Sequence, residues 1–283
     1  MVINTLLQKG VQKLQLAGIS SPRLDAEVLL AHVLKKDCMF LLMHRDDAVA
    51  EDLCDAFLSL IDRRAAHTPV AYLVGYKEFM SLPFSVQPGV LIPRPDTETV
   101  TELVINELKD APAPSVLELC CGSGAISVSL AHYLPKSRIT AYDISPLCVE
   151  VAQKNAEQNG VADRVHIEEK DILKPFSPPA PFDCVVSNPP YIPSKVLLSL
   201  EADVRDFEPH LALDGGDDGL CFYRHIANST ASLLAPKGLL ALEVGHDQAN
   251  TVADLIKNTG AFSSVVLSDD LAGIHRVVSA RKI

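Results

Sequence analysis

The 283-residue sequence has no Cys-x-x-Cys pair, although it contains seven cysteines. An odd number without that spacing argues against a disulfide framework. The adjacent Cys120-Cys121 fall in a glycine-containing turn that does not suit a zinc site. No bound metal is expected, and a reducing, cytoplasmic setting is. No apolar run reaches the ~20 residues that span a bilayer, so no membrane association is expected. Residues 1–20 lack the basic start, long apolar block and small-residue cleavage site of a signal peptide. Internal repeats and low-complexity tracts are absent as well. So is any excess of positive charge. A formal net charge of −11 disfavours stable, sequence-independent binding along nucleic acid, which relies on Lys/Arg contacts to phosphate. A local basic patch stays compatible with that total, as does a basic or protein partner.

What is present begins with a hydrophobic fraction of 48%, ample for a large core or for a domain with a smaller attachment. Residues 1–75 read as three short helices. Ile3, Leu6, Leu7, Val11 and Leu14 follow helical spacing up to Gly18. Ser21-Pro22 reads as an N-cap followed by Pro at the first helical position, leading into an apolar stripe at Ala26, Leu29, Leu30 and Val33. A third helix carries Leu53, Phe57, Leu60 and Ile61 and ends at the cations Arg63-Arg64, which with His67 read as a solvated face. From Val70 to Ile92 short β runs are broken by Gly75, Pro83, Pro88 and Gly89, and residues 76–93 are expected to form a β-hairpin connector. Asp96 or Thr97 then caps a helix with the apolar face Val100, Leu103, Val104 and Leu108.

From Ser115 onward strands and helices alternate. The expected order is strand Val116–Leu119, helix Ala125–Leu134, strand Arg138–Tyr142, helix Ser145–Asn159, and strands Val165–Ile167 and Phe182–Ser187. There follow a helix near Leu220–Leu234, strand Gly238–Val244, helix Gln248–Thr259, and a hairpin of Ser263–Leu267 with Arg276–Ala280. Such alternation means an α/β domain, here 94–283, whose mostly parallel seven-stranded sheet is covered by helices and closed by an antiparallel hairpin.

Two stretches carry chemistry. The first is the turn Glu118-Leu119-Cys120-Cys121-Gly122-Ser123-Gly124, where small residues between strand and helix let a ligand approach the backbone. The third glycine of the dinucleotide fingerprint is missing, because Ser127 stands there, and that disfavours NAD. Acids end three successive strand regions: Glu118, Asp143, placed to accept from ribose hydroxyls, and Asp171, placed to meet an adenine amine with Ile172 against the ring. Adenosine without phosphates and a cationic centre near acids fit S-adenosyl-L-methionine.

The second stretch is Asn188-Pro189-Pro190-Tyr191, directly after the apolar run Phe182–Ser187. The Asn188 side chain and the Pro189 backbone each offer a carbonyl, Pro190 restricts both, and Tyr191 adds a flat face. Two fixed acceptors beside a ring suit a planar –NH2 group, and holding both hydrogens aims the nitrogen lone pair at an electrophile. The same four residues also make an ordinary turn. Arg94, locked between Pro93 and Pro95, is either a substrate or cofactor contact or a surface cation paired with Asp96 or Glu98. The acidic run from Glu201 to Asp218 is either a solvated loop and helix face or a guide for a basic partner.

With these residues together the chain resembles the Rossmann-like class I methyltransferases, and among them the bacterial release factor glutamine methyltransferases. The resemblance covers nearly the full length. It rests on the helical front, Leu91-Ile92-Pro93-Arg94-Pro95-Asp96-Thr97-Glu98, the glycine loop, Asn188-Pro189-Pro190-Tyr191-Ile192, Phe207-Glu208-Pro209, Leu213-Asp214-Gly215-Gly216, Glu243-Val244-Gly245-His246-Asp247-Gln248, and the ending Asp270–Gly273 with Arg276-Val277-Val278. The family's loop usually has glycine at Cys120 and aspartate at Glu118. The resemblance implies N5-methylation of the glutamine in the Gly-Gly-Gln motif of class 1 peptide chain release factors. S-adenosyl-L-methionine is the implied donor, residues 1–75 the implied docking domain, and a monomer the default. Glutamine methylation of a ribosomal protein, adenine-N6 methylation of nucleic acid through the shared Asn-Pro-Pro-Tyr, and a cofactor-binding regulator without turnover are the alternatives.

Overall fold

A computed structural model describes residues 1–176 and 180–283. Its internal contacts divide the chain into two units: Met1–Tyr76 with Glu201–Phe207, and Lys77–Leu200 with Glu208–Ile283. Among the described residues no helix is long and apolar enough to cross a membrane.

The first unit is helical: α1 (Ile3–Leu16), α2 (Pro22–Leu34), α3 (Cys38–Met43), α4 (Glu51–Ala65) and α5 (Val70–Val74). The apolar stripes meet in one core of Leu6 and Leu14, Leu29 and Leu30, and Phe57 and Ile61. Helix α1 lies so close to α4 that a Cβ on Gly10 would come within 2.7 Å of the Phe57 ring. Two helices correct the sequence reading. Cys38–Met43 is apolar at every position and offers no period, but Asp37 caps it by accepting from the Phe40 N–H at 2.7 Å. Val70–Val74, expected to be β, forms a single helical turn between Pro69 and Gly75, because that turn buries Tyr72 and Leu73. The cationic end of α4 is also only partly solvated. Arg63 is exposed, whereas Arg64 is buried and pairs at 2.7 Å with both Asp25 and Asp203. Asp203 further binds His67 Nδ1 at 2.8 Å.

The second unit starts with a two-stranded hairpin, β1 (Tyr76–Phe79, whose first residue closes the helical unit) and β2 (Leu82–Ser85). After it come α6 (Thr97–Leu108), β3 (Ser115–Leu119), α7 (Ala125–Tyr133), β4 (Arg138–Asp143), α8 (Pro146–Gln158), β5 (Val165–Glu169) and β6 (Phe182–Ser187). The short α9 (Ala202–Arg205) belongs to the helical unit. The chain continues with α10 (Cys221–Ser229), β7 (Leu234–Glu243), α11 (Ala249–Asn258), β8 (Phe262–Asp269) and β9 (His275–Lys282). Helix α10 thus ends five residues before the expected Leu234, which instead opens a strand longer than Gly238–Val244.

The seven strands run in the order β5-β4-β3-β6-β7-β9-β8. The first five are mutually parallel, and β9 is antiparallel to both its neighbours. Alternate residues of each central strand serve opposite faces. Val116, Val186 and Ala241 pack with Val104 of α6 and Val128 of α7. Leu117, Val185 and Leu240 pack with Ile226 of α10 and Val252 of α11. This double burial explains the unbroken apolar runs. From β3 the chain winds outward through β4 and β5, then returns to the other side of β3 with β6. The reversal opens a crevice at the carboxyl ends of β3 and β6, where ligands bind in such sheets.

Candidate active site

A cavity of about 210 Å³ lies at those strand ends, bordered by Cys120 and Gly122 after β3, Asp143 and Ile144 at β4, Lys170, Asp171 and Ile172 after β5, and Asn188 and Pro190 after β6. Three of its bordering side chains, Ile144, Leu173 and Leu211, are large aliphatics left 46%, 42% and 59% exposed. An apolar, planar ligand group would cover them.

The loop after β3 is shaped by backbone geometry. Cys120, Gly122 and Gly124 all have positive φ, at 61°, 54° and 76°. A Cβ on Gly124 would lie 2.9 Å from that of Ala152, so this glycine lets α7 and α8 approach. Asp143 fastens the loop: its carboxylate accepts from the Gly122 N–H at 2.8 Å and the Ser145 N–H at 2.9 Å. Burial raises its pKa, and these N–H groups oppose the rise. A carboxylate has about four acceptor positions, so two remain for a ligand.

Glu118 is placed differently. It is buried behind the loop, does not border the cavity, and accepts from both the backbone N–H and the hydroxyl of Ser127. Burial pushes its pKa from 4.5 to about 8. Cys121 and Ser123 are likewise buried within the loop. Asp171 sits at the rim, bonded to the Leu173 N–H at 3.0 Å and paired with Lys174 at 3.2 Å; these partners hold its carboxyl below the usual range. Among the described residues, no cluster of His, Cys, Asp or Glu is arranged to hold a metal ion.

Asn188 and Pro190 border the cavity, whereas Pro189 is buried and Tyr191 turns away. Tyr191 donates to Glu243 Oε1 at 3.4 Å, and its backbone carbonyl accepts from Gln248 Nε2 at 2.9 Å. The next residue is held too: Ile192 donates its N–H to the Leu213 carbonyl, and its own carbonyl accepts the Gly215 N–H. A Cβ on Gly219 would come 2.3 Å from the Tyr191 carbonyl. The distant glycine-rich stretch and Gln248 therefore clamp the proline loop from outside.

Arg94 pairs with Glu208 at 2.5 Å, rather than with Asp96 or Glu98, and does not border the cavity. Asp96 instead pairs with Arg276 at 3.1 Å, and Glu98 accepts the Met80 N–H at 2.7 Å.

Two contributors escaped the sequence reading. Asn188 Nδ2 donates to Thr97 Oγ1 at 3.1 Å, and the buried Glu243 takes the Tyr191 hydroxyl from behind the proline loop. Burial raises the Glu243 pKa from 4.5 to about 7, with Thr97 and Arg276 holding it down. For Glu243 a signal existed, an acid inside the apolar run Leu239–Val244, the pattern that also marks Glu118. For Thr97 the sequence offered only a capping role.

Comparison with known proteins agrees with this architecture. The family model described as the PrmC N-terminal domain matches residues 5–75, and that of the methyltransferase small domain matches residues 82–201. The crystal structure of a methyltransferase from Pyrococcus furiosus superimposes with a TM-score of 0.54 at 18% identity, over 78% of this chain and 98% of that one. It shares the fold. A release factor glutamine methyltransferase of Clostridium botulinum is 38% identical over 100% of both chains. One from Moorella thermoacetica is 46% identical over 98% of this chain and 97% of its own length. At that identity over nearly the whole of both chains, the protein belongs to the release factor glutamine methyltransferase family.

Proposed function

We propose that this enzyme transfers a methyl group from S-adenosyl-L-methionine to the side-chain nitrogen (N5) of the glutamine in the Gly-Gly-Gln motif of class 1 peptide chain release factors, in the cytoplasm, modulating translation termination. The observation that carries the reading is that Asn188 and Pro190 border the same cavity as Gly122, Asp143 and Ile172. The Asn188 carboxamide and the residues suited to adenosine share one space.

The donor set fits the cofactor. Asp143 keeps spare lone pairs for ribose hydroxyls, Gly122 presents bare backbone, and Ile172, Ile144 and Leu173 offer apolar surface to a base. When bound, the cofactor supplies an electrophilic methyl on a sulfonium. The chain's own residues then have to position a weak nucleophile, since an amide nitrogen is poorly basic. In this reading the Asn188 side-chain oxygen and the Pro189 carbonyl accept the two amide hydrogens. No described group donates a hydrogen bond to the Pro189 carbonyl, which leaves it available. Tyr191, held by Glu243 and Gln248, fixes the loop from behind. The amide proton can leave to water after transfer, so no side chain need act as base. Residues 1–75 serve as the docking domain, 76–93 as connector and 94–283 as the catalytic domain.

Mass spectrometry of a purified class 1 release factor, incubated with the protein and cofactor, tests this. One methyl on the Gly-Gly-Gln glutamine, lost with Asn188→Ala, is expected. A bound cofactor with no methyl on that residue would move the substrate to a ribosomal protein or nucleic acid.

A further inference from the structure

The cavity has a side that the sheet does not build. Gly89 and Leu91 border it from one stretch of chain, and Pro209, Leu211 and Ala212 from another; neither stretch is a strand. The two are fastened to different halves of the site. Val90, between Gly89 and Leu91, packs on Cys148 and Val151 of α8, the helix that follows Asp143. Leu213, next to Ala212, accepts the Ile192 N–H at 2.9 Å and so belongs with the proline loop.

Glu208 joins them. Its carboxylate stands at the start of the second stretch and reaches the first with both oxygens. Oε1 pairs with Arg94 Nη2 at 2.5 Å, and Oε2 accepts the Ile92 N–H at 3.4 Å. The Glu208 side chain is 2% exposed, a depth at which an acid persists only when paired. Arg94 suits the partner's part, because prolines on both sides restrict its backbone and its guanidinium keeps its charge. Neither Glu208 nor Arg94 borders the cavity, so neither is placed to touch a cofactor. Their bond lies directly behind residues that are: Leu91 precedes Ile92, and Pro209 follows Glu208.

We propose that Glu208, through its bonds to Arg94 and Ile92, is a positioning residue that fastens these two stretches across the cavity and thereby sets how tightly and how long the cofactor is held. The inference rests on the reading above, that S-adenosyl-L-methionine occupies this cavity. A wall already held in place need not be ordered when the ligand arrives, and the difference appears as affinity. It acts chiefly on release, the rate in which variants of one binding site mostly differ.

Radiolabelled S-adenosyl-L-methionine is the probe, added to the full chain with no methyl acceptor present. Equilibrium titration gives Kd and stoichiometry, and a chase with unlabelled compound gives the release rate. Glu208→Ala should weaken Kd at least about tenfold, the worth of a charged hydrogen bond, with release faster by a similar factor. A chain that is merely destabilised would bind fewer equivalents at unaltered Kd, and the titration separates the two. Arg94→Met should act like Glu208→Ala, and Arg94→Lys, which keeps the cation, should bind more tightly than Arg94→Met. In Glu208→Ala, adding Arg94→Met should cost nothing further, since both act through one bond. Unchanged Kd in either single variant, no gain from the lysine, or a second loss in the double variant overturns the proposal. Should Glu208→Ala not fold, the isosteric Glu208→Gln replaces it and the same outcomes decide. Asp143→Ala is the control for the site itself. Asp143 borders the cavity, and normal cofactor binding without it would sink the reading of the cavity rather than the role of Glu208.

Discussion

Cys120 holds a φ of 61°, a conformation that costs a residue with a side chain about 1 kcal/mol or more. A glycine at this place would be free of that cost. Cys120→Gly is expected to raise Tm by roughly 2–4 °C, the shift that about 1 kcal/mol produces in a chain of this size. Scanning calorimetry checks it. Glu118 invites a second measurement. Its pKa is about 8 in the folded chain against an ordinary 4.5, so between those values the folded state holds a proton that the unfolded state has released. Stability is therefore highest below pH 4.5 for this group and falls as pH rises through 8. Glu243 adds a fall of the same sign between 4.5 and about 7. Glu118→Gln should change stability little at pH 5 and add roughly 4 kcal/mol at pH 9, read by urea denaturation at the two pH values. The acid inside an apolar strand was visible in the sequence, but its direction was not. A position inside an unbroken apolar run says that Glu118 is buried and does not say whether it meets a ligand or Ser127.

Among the elements, those with a clear period were legible. The strands from β3 to β6 and the helices α7, α8 and α11 are where apolar runs, prolines and closing glycines place them. Elements decided by tertiary burial were not. Val70–Val74 has β-forming residues and is helical, because one turn buries Tyr72 and Leu73. The clamp on the proline loop was illegible for the same reason, since it joins Tyr191 to Gly219 and Gln248 across the fold. Thr97 and Asn188 meet 91 positions apart, which no local pattern reports. The clamp yields its own prediction. Gly219 has φ 75° and no space for a Cβ beside the Tyr191 carbonyl, so Gly219→Ala must displace the loop. Methyl transfer should fall at least about tenfold while the cofactor Kd changes little, because Gly219 does not border the cavity. Transfer rates and calorimetric titration of the variant separate the two effects.

For the whole molecule, the unexpected feature is the excursion of Glu201–Phe207 into the helical unit, where Asp203 meets Arg64 and His67. Composition marked this run only as acidic. Removing the cation leaves Asp25 buried without its partner, which costs about 3–5 kcal/mol. Arg64→Met should accordingly lower the first unfolding transition of the full chain and speed tryptic cleavage at Arg205, both measurable on one preparation. The excursion also has a consequence in time. Helices α1 to α5 are made well before the segment that completes their ion cluster, which follows only after β6. At ribosomal speeds that interval is on the order of ten seconds, far longer than helices take to pack. During synthesis Arg64 therefore waits with Asp25 as its one carboxylate, and its ion cluster is completed only once the strand leading to Asn188 exists.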